Sequence, residues 1–272
     1  MTKRVLPSLI SLTLGWSSIS VCAETRFDEL LALPFVEPTE ILRYGEHSDQ
    51  YGLLWSRPAD AISSAPLVIL IHGGCWLHAY NVEHIRPLAS HLLAEGFDVW
   101  APEYRRVLGA GGYPETFDDI AKSVQFILQR RHNETPWALI GHSAGGHLAL
   151  WAASEPSLPT PHLTIGLAAI TDLNTYGSAT GSCPKSVALL LGGNLDEKAF
   201  LYESLSPINR IFDAPLVIMQ GLADPIVSTD QAEAMSSATR DYLENVDHFD
   251  FINPQRDVVD KLVRHLKKGL EE

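Results

Sequence analysis

The stretch IGHSAGGHLAL, residues 140–150, sets a single hydroxyl between glycines at the junction of two apolar runs. The run ahead of Ser143 is typical of a short buried strand, and the apolar residues after the second glycine are typical of the core side of a helix. Gly141, Ser143 and Gly145 form the pattern G-x-S-x-G, in which a sharp strand-to-helix turn exposes the serine hydroxyl. Side chains at the two glycines would collide with the neighbouring strand and helix. The pattern makes Ser143 a candidate nucleophile. A chance match of so short a pattern is the alternative, and the rest of the chain decides between the two.

Strands and helices alternate on both sides of this corner. We expect a hairpin over 44–58, further strands over 66–71, 98–101, 137–140, 163–170 and 216–219, and helices over 83–94, 116–130, 183–191, 229–239 and 254–270. This alternation predicts an α/β fold with a mostly parallel central sheet and helices on both faces. The stretch 171–213, between two core strands, is expected to form a short lid or pocket wall.

A nucleophilic serine needs a base within hydrogen-bond reach and a third group that orients the base. Behind a corner of this kind, the acid and then the base follow on loops after late strands. His248, in NVDHFDF, follows the last predicted strand, so we predict that it is the base. His265 lies within the last predicted helix and is interpreted as a surface residue. His142 and His147 flank the serine where neither ring faces its hydroxyl easily, and they are interpreted as packing or loop-bonding residues.

The acid is predicted to be Asp224, in QGLADPIVS, because it follows the strand predicted over 216–219. Three other aspartates are alternatives. Asp230 begins the next predicted helix, where an aspartate is common for capping reasons alone. Asp247 and Asp250 adjoin His248 in sequence, and close neighbours on a loop usually point apart.

The glycine-rich turn HGGCW, residues 72–76, follows a predicted buried strand. A tetrahedral intermediate needs backbone N–H groups aimed at its negative oxygen, and such a turn can supply them. The N–H of Ala144, at the start of a helix, is a further donor. No metal site or other cofactor is indicated, because the histidines lack paired ligand spacing and H-E-x-x-H is absent.

The chain resembles the α/β-hydrolase superfamily, in the branch of kynurenine formamidase-like and hormone-sensitive-lipase-like esterases. The resemblance rests on HGGCW (72–76), EYRR (103–106), YPETFDD (113–119), GHSAGGHLAL (141–150), GLADPIV (221–227) and HFDFI (248–252). Where lipase-like members have a third glycine, this chain has Cys75-Trp76, which is similar to the formamidase-like H-G-G-x-W pattern. The resemblance implies the following roles: a triad of Ser143, Asp224 and His248; oxyanion N–H groups from Gly74, Cys75 and Ala144; and a substrate pocket near Gly73, Trp76 and His142.

The predicted triad and the resemblance together imply a serine hydrolase that cleaves carboxylic esters through an acyl-enzyme. The modest length of 171–213 favours small to medium acyl groups. An arylformamidase is the alternative within enzymes, and it is ranked lower because tryptophan breakdown is an intracellular task. A non-catalytic binding protein on the same scaffold is the alternative from another class, since a fold does not guarantee a function.

Composition limits the partners. The 272 residues have 46% apolar content and carry a net charge of −13, so one large core is possible and a basic nucleic-acid-binding face is not indicated. Binding to an anionic membrane surface by charge alone is also disfavoured. We expect a single domain over 24–272 that acts on a small-molecule ester.

The amino terminus has the pattern of a secretory signal peptide. Two basic residues precede an uncharged run over 5–21, and Val21-Cys22-Ala23 offers small residues for cleavage after Ala23. A proline and a glycine interrupt the run, which disfavours a permanent membrane span. Residues 1–23 are therefore predicted to direct export to the periplasm or the exterior. A lipoprotein anchor through Cys22 is a less favoured alternative, because Val21 is bulkier than such processing prefers.

Export would leave two cysteines, Cys75 and Cys183, in a compartment where disulfides persist. One lies on the predicted oxyanion turn and the other in the predicted pocket wall, so a disulfide between them is plausible. The alternative is two separate thiols packed as small apolar residues.

Overall fold

A computed structural model describes residues 25–57, 65–131 and 135–271. The predicted signal peptide, 1–23, lies outside these residues. The described chain contains an eight-stranded sheet of order β1-β2-β4-β3-β5-β6-β7-β8. The strands are β1 (Glu40–Arg43), β2 (Tyr51–Trp55), β3 (Leu67–Ile71), β4 (Asp98–Pro102), β5 (Trp137–His142), β6 (Leu163–Leu167), β7 (Leu216–Gly221) and β8 (Thr239–Leu243).

The sheet is mostly parallel, as the sequence predicts. The hairpin of β1 and β2 pairs antiparallel with β4, and the pairs from β4 through β8 are all parallel. Every residue of β3, β5 and β6 is buried, because helices cover both faces of the sheet. The α/β-hydrolase fold predicted from the sequence is confirmed.

Helices cover two faces of this sheet. The side chains of α1 (Phe27–Ala32), α2 (Arg86–Ala94) and α9 (Asp257–Glu271) share one apolar core with the strands. The opposite core contains α3 (Glu115–Gln129) and α4 (Ala144–Ala153), and α8 (Thr229–Ala234) packs beside α4. Among the described residues, no helix combines the length and the apolar character that crossing a membrane requires.

The predicted pocket wall, 171–213, contains three helices between β6 and β7. They are α5 (Leu173–Gly177), α6 (Ser182–Leu191) and α7 (Leu195–Leu205). The apolar faces of α6 and α7 join the core that contains α3 and α4. This insertion is therefore packed onto the domain along its length.

Three predicted elements were wrong in their extent. The hairpin expected over 44–58 begins earlier, because its first strand is the mostly exposed β1 (Glu40–Arg43), which lacks a buried apolar run. The helix predicted over 229–239 ends at Ala234, and the chain then forms the edge strand β8, which the sequence did not predict. All five β8 residues are exposed or half-buried, so the strand lacks the buried apolar run that marks the inner strands. The strand predicted over 163–170 ends at Leu167, because Ala168 has a φ of 45° that a strand cannot contain.

Candidate active site

Ser143 lies at the corner between β5 and α4. Its backbone has φ 57° and ψ −122°, a conformation that side-chain-bearing residues rarely adopt. The N–H of Ser143 donates to the carbonyl of Leu167 at 2.8 Å, which ties the corner to the neighbouring strand. Strained backbone of this kind persists only where the surroundings hold it. The corner thus presents the Ser143 side chain at the carboxyl edge of the sheet.

The glycines around Ser143 are required by close packing. A Cβ on Gly145 would lie 2.3 Å from the carbonyl oxygens of both Ile71 and His72, at the end of β3. A Cβ on Gly141 would lie 2.0 Å from the carbonyl oxygen of Gly145. Backbone atoms cannot yield to such contacts, so both positions exclude any side chain.

His248 and Asp224 form a hydrogen-bonded pair. His248 Nδ1 lies 2.8 Å from Asp224 Oδ2, and the two side chains are 5% and 0% exposed. The other carboxylate oxygen of Asp224 accepts hydrogen bonds from the N–H groups of Ile226 (2.8 Å) and Val227 (2.9 Å). The carboxylate therefore holds the Nδ1–H tautomer of His248, which leaves a lone pair on Nε2.

The three alternative aspartates do not contact the ring of His248, and two of them have other partners. Asp247 Oδ1 accepts hydrogen bonds from the N–H groups of Phe249 (2.9 Å) and Asp250 (3.1 Å), which shapes the loop. Burial, and then the neighbouring Asp250, raise the pKa of Asp247. Asp250 pairs with Arg256 Nε at 2.6 Å. Asp230 lies in the first turn of α8. The structure brings Asp224 alone of these four to the ring of His248.

His142 lies beneath His248. Its Nε2–H donates to the backbone carbonyl of His248 at 2.8 Å, and the two rings are 4.6 Å apart. Burial, and then the proximity of His248, lower the pKa of His142 well below its ordinary value, so the ring is neutral near pH 7. This residue acts on the backbone of the His248 loop, in line with its interpretation as a loop-bonding residue.

The other two histidines weighed as alternatives lie away from Ser143 Oγ. His147 bonds through Nε2 to the carbonyl of Leu205 at 3.0 Å, and burial lowers the pKa of its ring to about 4. His265 lies on α9, where its Nε2 is 2.5 Å from Asp241 Oδ2 and its side chain is 23% exposed. It was expected as a solvated residue and is instead a partly buried partner of β8.

The turn after β3 has an unusual backbone. Gly74, Cys75 and Trp76 have φ values of 100°, 54° and 57°. A Cβ on Gly74 would lie 2.4 Å from Cβ of Tyr80, so this position requires glycine. Ala144 opens α4, where the first N–H groups of a helix have no acceptor in a preceding turn. The turn and the helix thus meet beside Ser143.

A buried ion-pair network holds this turn from behind. Glu103 Oε1 lies 3.0 Å from His72 Nε2 and 2.8 Å from Arg106 Nη1, and its other oxygen accepts from the N–H of Val82. Burial alone would raise the pKa of Glu103, but His72 and Arg106 together lower it. The Tyr104 hydroxyl donates to the carbonyl of His72 at 2.9 Å. Sequence reasoning gave no role to this network, although EYRR (103–106) was part of the resemblance.

A cavity of about 240 Å³ opens beside Ser143 and His248. One wall is formed by aromatic rings. The ring centroid of Phe27 lies 5.2 Å from that of Tyr80, 5.4 Å from that of His84 and 5.8 Å from that of Phe249. Sequence reasoning did not predict this wall, because its residues come from separate segments, and only Phe249 lies within a quoted motif, HFDFI (248–252). The remaining lining residues are Gly74, Cys75, His142, Ser182, Cys183 and Ile226.

Two residues expected at the pocket lie behind it. Trp76 is fully buried, and its ring packs edge-on against His147 at 5.3 Å. The positive φ of this residue turns its side chain into the core and away from the cavity. Gly73 lies under the corner, where a Cβ would be 2.7 Å from the carbonyl oxygen of His142. By contrast, His142 lines the cavity.

Cys75 and Cys183 form a disulfide that links the turn after β3 to α6. Their Cα atoms are 5.1 Å apart across a sequence separation of 108 residues. Both residues line the cavity beside Ser143. Among the residues that the structure describes, no group of three or more His, Cys, Asp or Glu side chains is arranged to hold a metal ion.

The chain is similar in sequence to curated proteins that are named as ester hydrolases or as a kynurenine formamidase. The chain is 31% identical over 124 residues to the probable carboxylic ester hydrolase LipM of Mycobacterium tuberculosis, which covers 43% of this chain and 28% of LipM. It is 24% identical over 220 residues to esterase LipC of the same organism (72% of this chain, 54% of LipC). It is 32% identical over 124 residues to kynurenine formamidase avaC of Aspergillus versicolor (39% and 44%). These matches therefore span between about a quarter and about a half of the length of each relative.

The fold is shared with solved esterase structures. A truncated carbohydrate esterase from gut microbiota superimposes with a TM-score of 0.74 at 16% identity, covering 87% of this chain and all of that one. The model of the BD-FAE family matches residues 56–239, which is more than half of the chain and includes β3 through α8 with Ser143 and Asp224. The chain belongs to the BD-FAE family of the α/β-hydrolase superfamily.

Proposed function

We propose that this protein is a serine hydrolase that cleaves carboxylic esters through an acyl-enzyme. The observation that carries the proposal is the 2.8 Å pair of His248 and Asp224, because His248 lines the same cavity as Ser143 on its strained corner. The names of the esterase relatives support the same reaction class.

The chemistry follows from the placement of these groups. His248 Nε2 takes the proton of Ser143 while Oγ attacks the ester carbonyl, and Asp224 stabilises the imidazolium that forms. The carbonyl oxygen becomes negative and is stabilised by the N–H groups of Gly74, Cys75 and Ala144. His248 then gives the proton to the departing alcohol. In the second half of the reaction it activates water, which releases the acid.

The size of the cavity supports the proposal that the substrate has a small to medium acyl group. Its volume of about 240 Å³ lies below the range of about 300–1,000 Å³ that is usual for drug-sized ligands. The disulfide ties α6 to the turn after β3, which holds one wall in place. We therefore expect activity to fall as the acyl chain lengthens beyond the space that these walls enclose.

A panel of p-nitrophenyl esters from acetate to dodecanoate, with N-formylkynurenine beside it, tests the proposal. We expect the highest kcat/KM for short or medium acyl esters, and Ser143→Ala gives the background rate. A higher kcat/KM for N-formylkynurenine would make the protein an arylformamidase. No turnover of either class above that background would favour a non-catalytic binding protein.

We further propose that the protein is exported after cleavage behind Ala23. The disulfide supports this location, because disulfides persist in oxidising compartments. Intact mass measurement of the secreted chain should give a polypeptide that begins at Glu24. A lipidated chain beginning at Cys22 would instead establish the anchored alternative.

A further inference from the structure

Three cavities meet at the candidate active site, and among the described residues Ile226 alone lines all three. The catalytic cavity, of about 240 Å³, contains Ser143. A second cavity, of about 450 Å³, shares Ser182 and Cys183 with it, and a third, of about 310 Å³, shares His248. Ile226 therefore lies at the boundary between the space beside Ser143 and the two outer spaces.

The backbone of Ile226 is fixed, whereas its side chain can be changed independently. The N–H of Ile226 donates to Asp224 Oδ1 at 2.8 Å, next to the similar bond from Val227. The side chain is aliphatic, half-buried and packed against the core that contains α3 and α4. A shorter side chain keeps the N–H that holds the acid, so it changes the boundary between the cavities and leaves Asp224 in place.

The side chain of Ile226 is the largest aliphatic group between the catalytic cavity and the second cavity. The other two residues that these cavities share are Ser182, which has a short side chain, and Cys183, which is held by its disulfide. The lining of the second cavity mixes polar side chains with the apolar surfaces of Tyr176 and Pro184. A hydrocarbon chain that passed Ile226 would therefore find apolar surface behind it.

The position of His248 distinguishes the acyl side of the site from the alcohol side. In the proposed reaction His248 gives a proton to the departing alcohol, so the alcohol leaves on the side of this ring. The third cavity is lined by His248, whereas the second is not. The acyl chain is therefore directed away from the third cavity and toward the second, with Ile226 at the boundary.

We propose that Ile226 is a specificity-determining residue that closes the acyl end of the catalytic cavity and so limits the length of the acyl chain. This inference deepens the proposed ester hydrolysis and rests on it. A shorter side chain at this position joins the catalytic cavity to the second one, so longer acyl chains gain a place to bind. Burial of each additional methylene group is worth about fourfold in affinity.

The experiment compares the wild type with Ile226→Val and Ile226→Ala, a graded shortening of one side chain. Leu222→Ala is the matched control, because Leu222 is an aliphatic residue of the same loop that is 52% exposed and lines none of the three cavities. The measured quantity is the ratio of kcat/KM for p-nitrophenyl octanoate to that for p-nitrophenyl butyrate. The same ratio for octyl acetate and butyl acetate reports on the alcohol side. Damage to the catalytic groups lowers both rates of a pair and leaves its ratio unchanged.

We expect Ile226→Ala to raise the ratio of octanoate to butyrate about fifteenfold, which corresponds to two newly buried methylene groups. Ile226→Val should raise it less, and it decides the matter if Ile226→Ala does not fold. The ratio for the alkyl acetates should remain close to the wild-type value, and Leu222→Ala should change neither ratio. The proposal is overturned if shortening Ile226 leaves the octanoate ratio unchanged, or if it changes the alkyl acetate ratio more than the acyl ratio.

A binding measurement separates this proposal from the proposed hydrolysis. Ligand-observed NMR compares methyl octanoate with methyl butyrate on Ser143→Ala, with and without Ile226→Ala. If the wild type cleaves none of the esters, the proposed hydrolysis fails. A stronger preference for methyl octanoate in the Ile226→Ala background would still establish Ile226 as the boundary, and an unchanged preference would refute it.

Discussion

The two sides of the candidate active site are held in place by different means. The Ser143 side is fixed by backbone contacts between β3, β5 and the start of α4, at glycines that admit no Cβ. The His248 side is fixed by side chains from distant segments, including Asp224 and the first described residue, Thr25. The first arrangement leaves one compact sequence pattern, whereas the second is spread over separate segments, GLADPIV (221–227), HFDFI (248–252) and the start of the described chain. Substitutions on the two sides should therefore differ in the contacts that they remove and in the size of their effect on activity.

Ser143→Ala tests the first side most strongly. We expect kcat on an activated ester to fall by about three to six orders of magnitude, because the nucleophile and its base act as a unit. The fold should persist, since the glycine contacts that shape the corner remain. Ser182→Ala is the matched control, because Ser182 also lines the cavity and should retain most activity. Activity above about a tenth of wild type in Ser143→Ala would remove Ser143 from the mechanism.

Asp224→Asn tests the strongest contact on the second side. We expect a loss of about 10⁴ in kcat, because His248 loses the partner that fixes its tautomer and stabilises its cation. Asn replacements of Asp230, Asp247 and Asp250 serve as comparisons. If one of these proves more damaging to kcat than Asp224→Asn, the assignment of the acid is wrong.

Removal of the disulfide tests the attachment of the Ser143 side to the pocket wall, because the bridge joins the turn after β3 to α6. In the chain-entropy model, a bridge across 108 residues contributes up to about 4–5 kcal/mol to the free energy of unfolding. We expect Cys75→Ala/Cys183→Ala to lower that free energy and to lower activity, since the turn after β3 loses its attachment to α6. The presence of the bridge in the wild-type protein is checked separately, by alkylating the denatured, unreduced mature chain and measuring its mass. Two alkylated cysteines per chain would show that no bridge forms.

Acidic pH should lower the free energy of unfolding, because His147, on the helix that follows Ser143, is buried in its neutral form. Its folded-state pKa is about 4, against an ordinary value of 6.5. Between these values the unfolded chain binds a proton that the folded chain does not, so stability falls as the pH decreases from 6.5 to 4. The loss amounts to about 3 kcal/mol. Burial lowers the pKa of His84 and His142 in the same direction.

Thermal unfolding from pH 7 to pH 4 measures this effect. His147→Gln keeps a donor for the Leu205 carbonyl and should flatten the dependence of Tm on pH. His78→Gln, at a half-exposed position, should leave the dependence as in the wild type. An identical slope for His147→Gln and wild type would contradict the assignment.

Among the substitutions on the His248 side, Thr25→Val should have the smallest effect on kcat. The Thr25 hydroxyl donates to Asp250 at 2.5 Å and accepts from Asn253 at 3.2 Å, so it ties the amino-terminal segment to the loop after His248. Its loss should cost about 1–3 kcal/mol of unfolding free energy and less than about tenfold in kcat. Thr39→Val is the control, because the Thr39 hydroxyl makes an exposed hydrogen bond with Ser56. Equal unfolding free energies for the two variants would show that this contact does not hold the loop.

Sequence reasoning was strongest where a feature is local in the chain, and it also named Asp224 and His248 from their order after late strands. The corner at Ser143 and the inner strands could be predicted, because glycine spacing and continuous apolar runs are local consequences of close packing. The edge strand β8 was missed, since a half-exposed strand with polar residues resembles a helix end or a loop. The aromatic wall at Phe27, Tyr80 and His84 was missed because only tertiary contacts bring these segments together.

The position of Phe27 has a practical consequence for protein production. This wall residue lies four positions after Ala23, where cleavage is proposed, and Thr25 is 5% exposed. The choice of the first residue of a recombinant chain therefore also affects the wall of the candidate active-site cavity. A start after residue 27 removes part of the aromatic wall, and a short affinity tag fused directly to Thr25 would crowd the loop that carries His248. Enzymologists who compare preparations with different amino termini should treat them as different variants, and a carboxyl-terminal tag avoids this complication.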